Sequence, residues 1–268
     1  MTSRPAHRLL SALLLTLLVL AGCGTPGPGR QGSSSATGSS AGAAPGGTVI
    51  VLAAASLTGA FTELGRRFEA AHPGSRVVFS FGSSATLATQ VTQGAPADVF
   101  AAASPATMRT VTDAGAAMNP TTFVTNTLEI AVPPGNPGRV TGLADFADAR
   151  RRFAVCAEQV PCGAAAATVF RAAGVQARPD TYEQDVKAAL QKVVADEVDA
   201  ALVYRTDVLA AGPTVEGIEF PEAAEAVNAY PVAVLEQSRN PAGAAAFVAY
   251  VLSEEAQQVL GEAGFGRP

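Results

Sequence analysis

Two serines follow strand-like apolar runs in the first half of the chain, and each stands where a helix is expected to begin. Ser56 follows residues 49–55, and Ser84 follows residues 77–82. A helix N-terminus presents unpaired backbone N–H groups and a partial positive charge. Two such ends that converge would bind a small oxyanion without any cationic side chain. A serine at a helix start is also an ordinary N-cap, so each serine alone leaves both roles open.

Serine-dependent hydrolysis is the competing chemistry for these two residues. A nucleophilic serine needs a base within hydrogen-bonding reach. Of the two histidines in the chain, His7 lies in the N-terminal leader and His72 lies in a turn before Pro73. Neither serine lies in a Gly-x-Ser-x-Gly elbow. We therefore expect a binding protein rather than an enzyme.

The elements that would position these serines alternate along the chain from residue 48. Strand-type apolar runs and amphipathic helical periods follow one another, which favours an α/β fold with a mostly parallel sheet. Ligands of such sheets bind at the carboxyl ends of strands, where Ser56, Ser84 and Cys162 fall. We predict strands over residues 48–53, 76–81, 98–102, 128–132, 152–155, 200–204 and 227–235. We predict helices over residues 57–71, 86–93, 105–114, 163–173, 185–196, 206–211, 242–252 and 254–261.

The N-terminal segment has the organisation of an exported, lipid-anchored protein. A basic start and an apolar run over residues 9–20 predict a signal peptide covering residues 1–22. Residues 20–23 (LAGC) resemble a lipobox, which would make Cys23 the lipidated first residue of the mature chain. An ordinary signal with an unrelated cysteine is the alternative. Residues 23–47 predict a flexible linker, because beyond Cys23 they are nearly all small or polar.

The charge and the cysteines limit the possible partners. The net charge of −5 argues against nucleic-acid binding and repels anions at long range, so an anion site has to act through local dipoles. In an exported protein, Cys156 and Cys162 are expected to form a local disulfide. Two unpaired buried thiols are the alternative, and weak metal binding lacks a nearby histidine.

Eight short motifs of the folded part, taken in order, resemble the substrate-binding proteins of molybdate ABC transporters. Each motif alone is weak, but together they run nearly end to end through the folded part. They are residues 53–58 (AAASLT), 83–88 (SSATLA), 93–100 (QGAPADVF), 160–163 (VPCG), 185–187 (DVK), 203–207 (VYRTD), 230–234 (YPVAV) and 264–265 (GF).

The resemblance implies a class II periplasmic-binding-protein fold. Two α/β lobes would be joined by two crossover strands, near residues 126–131 and 228–232, and would hold the ligand in the cleft between them. The first lobe would comprise residues 48–125 plus 227–268, and the second residues 126–226.

The resemblance also implies five ligand-binding residues in this chain. Ser56 and Ser84 would each supply a hydroxyl and a backbone N–H, and Tyr204 its phenol O–H. Cys162 and Val186 would each supply only a backbone N–H. Cys162 stands where the family commonly has alanine, a change that leaves the backbone donor in place.

The implied function is capture of molybdate, with tungstate as a co-ligand, and delivery to an ABC permease. The protein would be extracytoplasmic, lipid-anchored to the cell membrane and monomeric. It would need no cofactor and no direct protein–metal ligand, since molybdenum would be held only as its oxyanion. Molybdate carries no proton at neutral pH and accepts hydrogen bonds only, which suits five positions that supply no carboxylate. Binding of sulfate, phosphate or an organic acid is the alternative, and a structural lipoprotein without a ligand is a more remote one.

Overall fold

The computed structural model describes residues 46–268. The predicted signal peptide (1–22), the predicted lipidation site Cys23 and nearly all of the predicted linker (23–47) lie outside the described residues. The first strand begins at Gly47, one residue before the predicted start. Within residues 46–268, no helix combines the length and apolar character needed to cross a bilayer.

Ten strands of the described range form two five-stranded sheets. In spatial order, the first sheet contains β2 (Ser75–Gly82), β1 (Gly47–Ala54), β3 (Val99–Ala101), β10 (Asn228–Val234) and β4 (Thr121–Asn126). The second sheet contains β7 (Thr181–Glu183), β6 (Phe153–Cys156), β8 (Ala200–Tyr204), β5 (Leu128–Val132) and β9 (Glu216–Ile218).

Both sheets are mixed, whereas the sequence predicts a mostly parallel sheet. The first three strands of each sheet are parallel, and the fourth runs antiparallel to both of its neighbours. The reversed strands, β10 and β5, are those by which the chain enters one sheet from the other. The chain thus crosses between the sheets twice, after Asn126 and before Asn228. The exact limits of the two lobes, 48–125 plus 227–268 and 126–226, stay a prediction.

Helices connect the parallel strands and cover both sheets, as parallel connections require. Short 3-10 turns lie at Ala55–Leu57, Leu143–Ala147, Gly212–Thr214 and Pro221–Ala226. The α-helices are α1 (Thr58–Ala71), α2 (Ser84–Thr92), α3 (Pro105–Asp113), α4 (Pro161–Ala172), α5 (Val186–Val194), α6 (Arg205–Ala211), α7 (Pro241–Val251) and α8 (Glu254–Glu262).

Each sheet has an apolar core of its own. In the first, α1 buries Phe61 and Phe68, and the ring of Phe68 meets that of Phe247 edge to face at a centroid distance of 5.3 Å. In the second, the rings of Phe146 and Phe153 stack at 4.3 Å. Aromatic pairs in these geometries add stabilisation beyond the area they bury. A third buried cluster, which includes Phe100 and Met108, also packs on the first sheet. These cores set where the carboxyl ends of both sheets lie.

Three of the ten strands were not predicted from the sequence, and all three lie at sheet edges. They are β4, β7 and β9. An edge strand is paired on one side only and is partly exposed, so it lacks the continuous apolar run that identifies a buried strand. Strand β7 (Thr181–Glu183), for example, has no fully buried residue.

Asp98 is a buried charged residue that joins β1 to the loop before α7. It accepts hydrogen bonds from the Ile50 amide at 2.7 Å, the Ser238 hydroxyl at 2.6 Å and the Arg239 and Asn240 amides at 2.9 and 3.1 Å. Burial opposes ionisation of this carboxyl, but the four donors outweigh it and lower its pKa below the ordinary value.

Candidate functional site

All five sequence-predicted site residues line one cavity between the carboxyl ends of the two sheets, which we call the central cavity. They are Ser56, Ser84, Cys162, Val186 and Tyr204. The cavity volume is about 20 Å³, somewhat more than the roughly 10–15 Å³ that holds one water. It has room for a small compact ion rather than an extended organic ligand.

Ser84 is the first residue of α2, and its hydroxyl has one defined partner. The amide of Ala103 donates to Ser84 Oγ at 3.0 Å. That contact occupies the acceptor side of the hydroxyl, so its hydrogen is available to a ligand. The backbone N–H of Ser84 is one of the helix-start donors that have no carbonyl partner within the helix.

Ser56 lies in the 3-10 turn Ala55–Leu57 that leads into α1. Its Oγ lies 2.9 Å from the hydroxyl of Tyr230, and Asn126 Nδ2 donates to that same hydroxyl at 3.3 Å. Asn126 is held by its own bonds, from Nδ2 to Thr206 Oγ1 at 2.8 Å and from the Thr127 amide to Oδ1 at 3.0 Å. Either hydroxyl of the Ser56–Tyr230 pair can donate, and when Tyr230 donates, the hydrogen of Ser56 is free for a ligand.

On the side of the second sheet, the cavity is lined by the N-terminal ends of α4 and α5. In α4, Pro161 is the first residue and lacks an N–H, so Cys162 carries the first backbone donor. In α5, Asp185 is the N-cap and accepts from the Ala188 amide at 3.0 Å. This cap leaves the N–H of Val186, the first helical residue, without a partner inside its helix.

The predicted disulfide is present and ties this wall together. Cys156, the last residue of β6, is bonded to Cys162 in the first turn of α4, with Cα atoms 5.7 Å apart. The helix begins at Pro161, two residues earlier than predicted, so Cys162 is helical. Gly163 allows the close packing, because a Cβ there would lie 1.9 Å from the Ala157 carbonyl oxygen.

Tyr204 ends β8 and is only 1% exposed. Its phenol oxygen has no hydrogen-bond partner among residues 46–268. Burial, together with the nearby Tyr230 and Asp207, raises the pKa of Tyr204 well above its ordinary value. The phenol therefore stays protonated and is an unused donor at the cavity.

Asp207 lies behind Tyr204 and is fully buried. Its Oδ2 accepts from the Tyr204 amide at 3.3 Å, and its Oδ1 lies 2.9 Å from Lys187 Nζ. Burial raises the pKa of this carboxyl, and the ammonium of Lys187 opposes the shift. Because Lys187 balances its charge, Asp207 orients the Tyr204 backbone without adding net negative charge beside the cavity.

Sequence reasoning missed several residues around the cavity. Ser83 and Asp185 also line it, while Tyr230, Asn126 and Asp207 support the lining residues from behind. Four of them, Ser83, Asp185, Asp207 and Tyr230, lie within the quoted motifs, but none was given a role at the site. Asn126 had no local signal. Among the described residues, no cluster of three or more His, Cys, Asp or Glu could hold a metal ion.

Comparison with known proteins places the chain in a family. The family model of bacterial extracellular solute-binding proteins matches residues 49–266. The molybdate-binding protein ModA of Mycobacterium tuberculosis H37Rv is 41% identical over 97% of this chain and 97% of its own length.

Solved structures share the fold. The periplasmic molybdate-binding protein of Azotobacter vinelandii has a TM-score of 0.69 at 20% identity and covers 82% of this chain and 99% of its own. The sulfate-binding protein SubI of M. tuberculosis has a TM-score of 0.71 at 18% identity, over 81% and 86% of the two chains. The chain therefore belongs to the bacterial extracellular solute-binding protein family, together with the ModA proteins, and is a non-enzymatic, extracytoplasmic component of transport.

Proposed function

We propose that this protein captures molybdate, and tungstate as a co-ligand, in the central cavity and delivers it to an ABC permease. Ser56 and Ser84 bind the anion from the first sheet through hydroxyl and amide hydrogens. Cys162, Val186 and Tyr204 bind it from the second. The protein acts as a monomer, held at the outer face of the cell membrane by a lipid on Cys23.

The observation that carries the proposal is that the predicted ligand groups are placed to donate. The acceptor side of the Ser84 hydroxyl is engaged by the Ala103 amide, and the Ser56 hydroxyl pairs with that of Tyr230, which can serve as its donor. Tyr204 Oη has no partner among the described residues, and two helix starts supply further amide hydrogens. A fully deprotonated tetrahedral oxyanion accepts bonds from all of these groups and has no proton of its own to place.

The expected affinity follows from the strength of such bonds. A hydrogen bond to a charged group contributes about 1.5–3 kcal/mol. Several of them, less the cost of desolvating a dianion and of ordering the cleft, reach the roughly −8 kcal/mol of micromolar binding or better. The 41% identity to a ModA protein favours molybdate as the anion.

Phosphate could compete with molybdate if a residue lining the cavity accepted its proton. Protonated phosphate needs an acceptor for its proton, and Asp185 is the one carboxylate residue among those lining the central cavity. Its Oδ1 already accepts from the Ala188 amide, as a helix cap does. This bond gives Asp185 a structural role at the start of α5, and titration with phosphate tests whether its other oxygen also meets a ligand.

Isothermal titration of the delipidated protein with molybdate, tungstate, sulfate and phosphate tests the proposal. We expect 1:1 binding of molybdate and tungstate with sub-micromolar Kd, and sulfate and phosphate weaker by at least about 100-fold, or roughly 2.7 kcal/mol. Absence of heat with molybdate, or equal affinity for sulfate, would overturn it.

Tyr204→Phe is the sharpest variant for the same titration. Its hydroxyl makes no bond within the described residues, so its removal leaves the ligand-free Tm unchanged or slightly raised. The molybdate Kd should rise about tenfold or more, since one bond to the anion is lost. An unchanged Kd would remove Tyr204 from the set of ligand residues.

A further inference from the structure

Within residues 46–268, three α-helices begin after a serine N-cap, and one of the three serines does not act as a cap. Ser104 Oγ accepts from the Thr107 amide at 3.2 Å, and Ser253 Oγ accepts from the Ala256 amide at 3.3 Å. Ser83, at the start of α2, makes no such bond. Its hydroxyl is therefore not explained by the ordinary role of a serine at this position.

The same hydroxyl is buried without a partner. Ser83 is 6% exposed, and its Oγ has no hydrogen-bond partner among residues 46–268. Burying a hydroxyl unpaired costs free energy, so nearly all buried polar groups find a partner in the protein, in water or in a ligand. Ser83 lines the central cavity, so a ligand there is within reach of its side chain.

The Ser83 hydroxyl shares its unpaired, buried state with the hydroxyl of Tyr204. Among the described residues, Ser83 and Tyr204 are the two cavity-lining residues with an unpaired buried side-chain oxygen. Ser83 directly precedes Ser84 and lines the cavity from the side of the first sheet. Tyr204 ends β8 and lines it from the side of the second. Both are hydroxyls that can donate to an acceptor-only ligand.

We propose that the Ser83 hydroxyl is a further ligand of the bound oxyanion, a third serine donor beside Ser56 and Ser84. This inference rests on the proposed function of the central cavity. It assigns two consecutive serines to one ligand, with Ser84 tethered to the Ala103 amide and Ser83 bonded only when the anion is present.

Two alanine variants, titrated with molybdate and melted without it, separate a ligand role from a structural one. Ser83→Ala should raise the molybdate Kd about 10- to 100-fold, because a hydrogen bond to a charged acceptor is lost. Its ligand-free Tm should stay unchanged or rise, since no bond in the free protein is removed. Ser253→Ala is the matched control, and it should lower the Tm and leave the Kd unchanged, because its cap bond lies at α8.

Two further variants keep the test decisive. Ser83→Thr retains the hydroxyl and should bind molybdate within a few-fold of the wild type. Ser83→Gly replaces Ser83→Ala if the latter fails to fold, because glycine is well tolerated at an N-cap.

The outcomes distinguish this inference from the proposed function. If the wild type binds molybdate and Ser83→Ala binds it equally well, the Ser83 inference is wrong and the proposed function stands. A lowered Tm with an unchanged Kd likewise overturns the inference, because the hydroxyl then holds the free protein together. If the wild type ignores molybdate but binds sulfate, and Ser83→Ala weakens sulfate, the proposed function fails and the role of Ser83 as an oxyanion ligand is supported.

Discussion

The two walls of the central cavity present hydrogen-bond donors in different ways. On the first sheet, the Ser84 hydroxyl accepts from the Ala103 amide, and the Ser56 hydroxyl is paired with that of Tyr230. On the second sheet, Cys162 and Val186 are placed to offer backbone N–H groups at the starts of α4 and α5. The first wall thus combines side-chain hydroxyls with backbone N–H groups, whereas the second relies chiefly on where helices begin.

This difference determines which substitutions each wall tolerates. A backbone donor survives any side chain except proline, so Cys162 can join a disulfide without giving up its N–H. A hydroxyl donor is lost with the side chain. The four predictions below test this contrast.

The largest effect is expected from removing a backbone donor with Val186→Pro. Proline is accommodated at the first position of a helix, and Asp185 already has the extended conformation (φ −158°, ψ 173°) that a residue before proline requires. The variant should fold, yet bind molybdate about 100-fold more weakly or worse, since it loses an N–H and places ring carbons at the cavity.

Val186→Ala is the matched control for this experiment. It keeps the N–H and should bind within about threefold of the wild type, although truncating a buried side chain lowers stability by about 1 kcal/mol. Circular dichroism checks the fold, and titration calorimetry gives the Kd. Similar affinities for the two variants would contradict a backbone-donating second wall.

On the first wall, the side chain itself should matter. Ser84→Ala removes a hydroxyl donor to the anion and should raise the molybdate Kd about 10- to 100-fold. It also leaves the Ala103 amide unpaired, so the free energy of unfolding should fall by about 1–3 kcal/mol in urea denaturation. Ser84→Thr keeps the hydroxyl and should restore much of the affinity and of the stability. If Ser84→Ala loses no more affinity than Val186→Ala, the two walls do not differ in the way described.

A smaller effect on binding is expected from removing the disulfide with Cys156→Ala and Cys162→Ala together. Freeing so short a loop lowers the free energy of unfolding by about 2 kcal/mol. The N–H of residue 162 remains, so the Kd should rise by only about threefold, well under the 1.4 kcal/mol of a tenfold change. Denaturation and calorimetry on the same samples give both numbers. A loss of affinity as large as that of Ser84→Ala would show that the wall relies on the bond rather than on the helix start.

The smallest effect is expected from pH between about 6 and 8. Tyr204 and Tyr230 have pKa values raised by burial and stay protonated, and His72, the one histidine of the described range, stacks on Phe68 away from the cavity. Ionised Asp98 stabilises the fold at every pH above the ordinary aspartate pKa. That stabilisation is lost only as the pH falls through the lowered pKa of Asp98, which lies below the window tested. The Kd measured across the window should vary by less than about twofold; a steep change would reveal a titrating contact.

Sequence reasoning was strongest where a local pattern and a chemical role coincide. Ser56 and Ser84 follow apolar, strand-like runs, and that pattern alone suggested an oxyanion site. The strand pattern placed Cys162 at a strand end, but its ligand role and that of Val186 came only from the resemblance to a family, because a backbone donor has no side-chain signature. Tyr204 alone would have been taken for a core residue.

The contacts of Tyr230 and Asn126 could not be predicted from the sequence for a different reason. Tyr230 bonds to Ser56 across 174 positions, and Asn126 to Tyr230 across 104. No local periodicity encodes such contacts, since they depend on how the two crossings bring distant segments together. The edge strands β4, β7 and β9 were missed because partial exposure weakens their apolar pattern.

Asn126 links the two sheets through the bonds of one side-chain amide. Its amide group donates to Thr206 on α6 and to Tyr230 on the returning strand, and Tyr230 meets Ser56 at the cavity. A rotation that separates the two sheets would break the Asn126–Thr206 bond and loosen the chain of bonds that orients the Ser56 hydroxyl. If the protein delivers its ligand as proposed, separating the sheets would disturb the Ser56 hydroxyl in the same motion, so opening of the cavity and release of the anion would coincide.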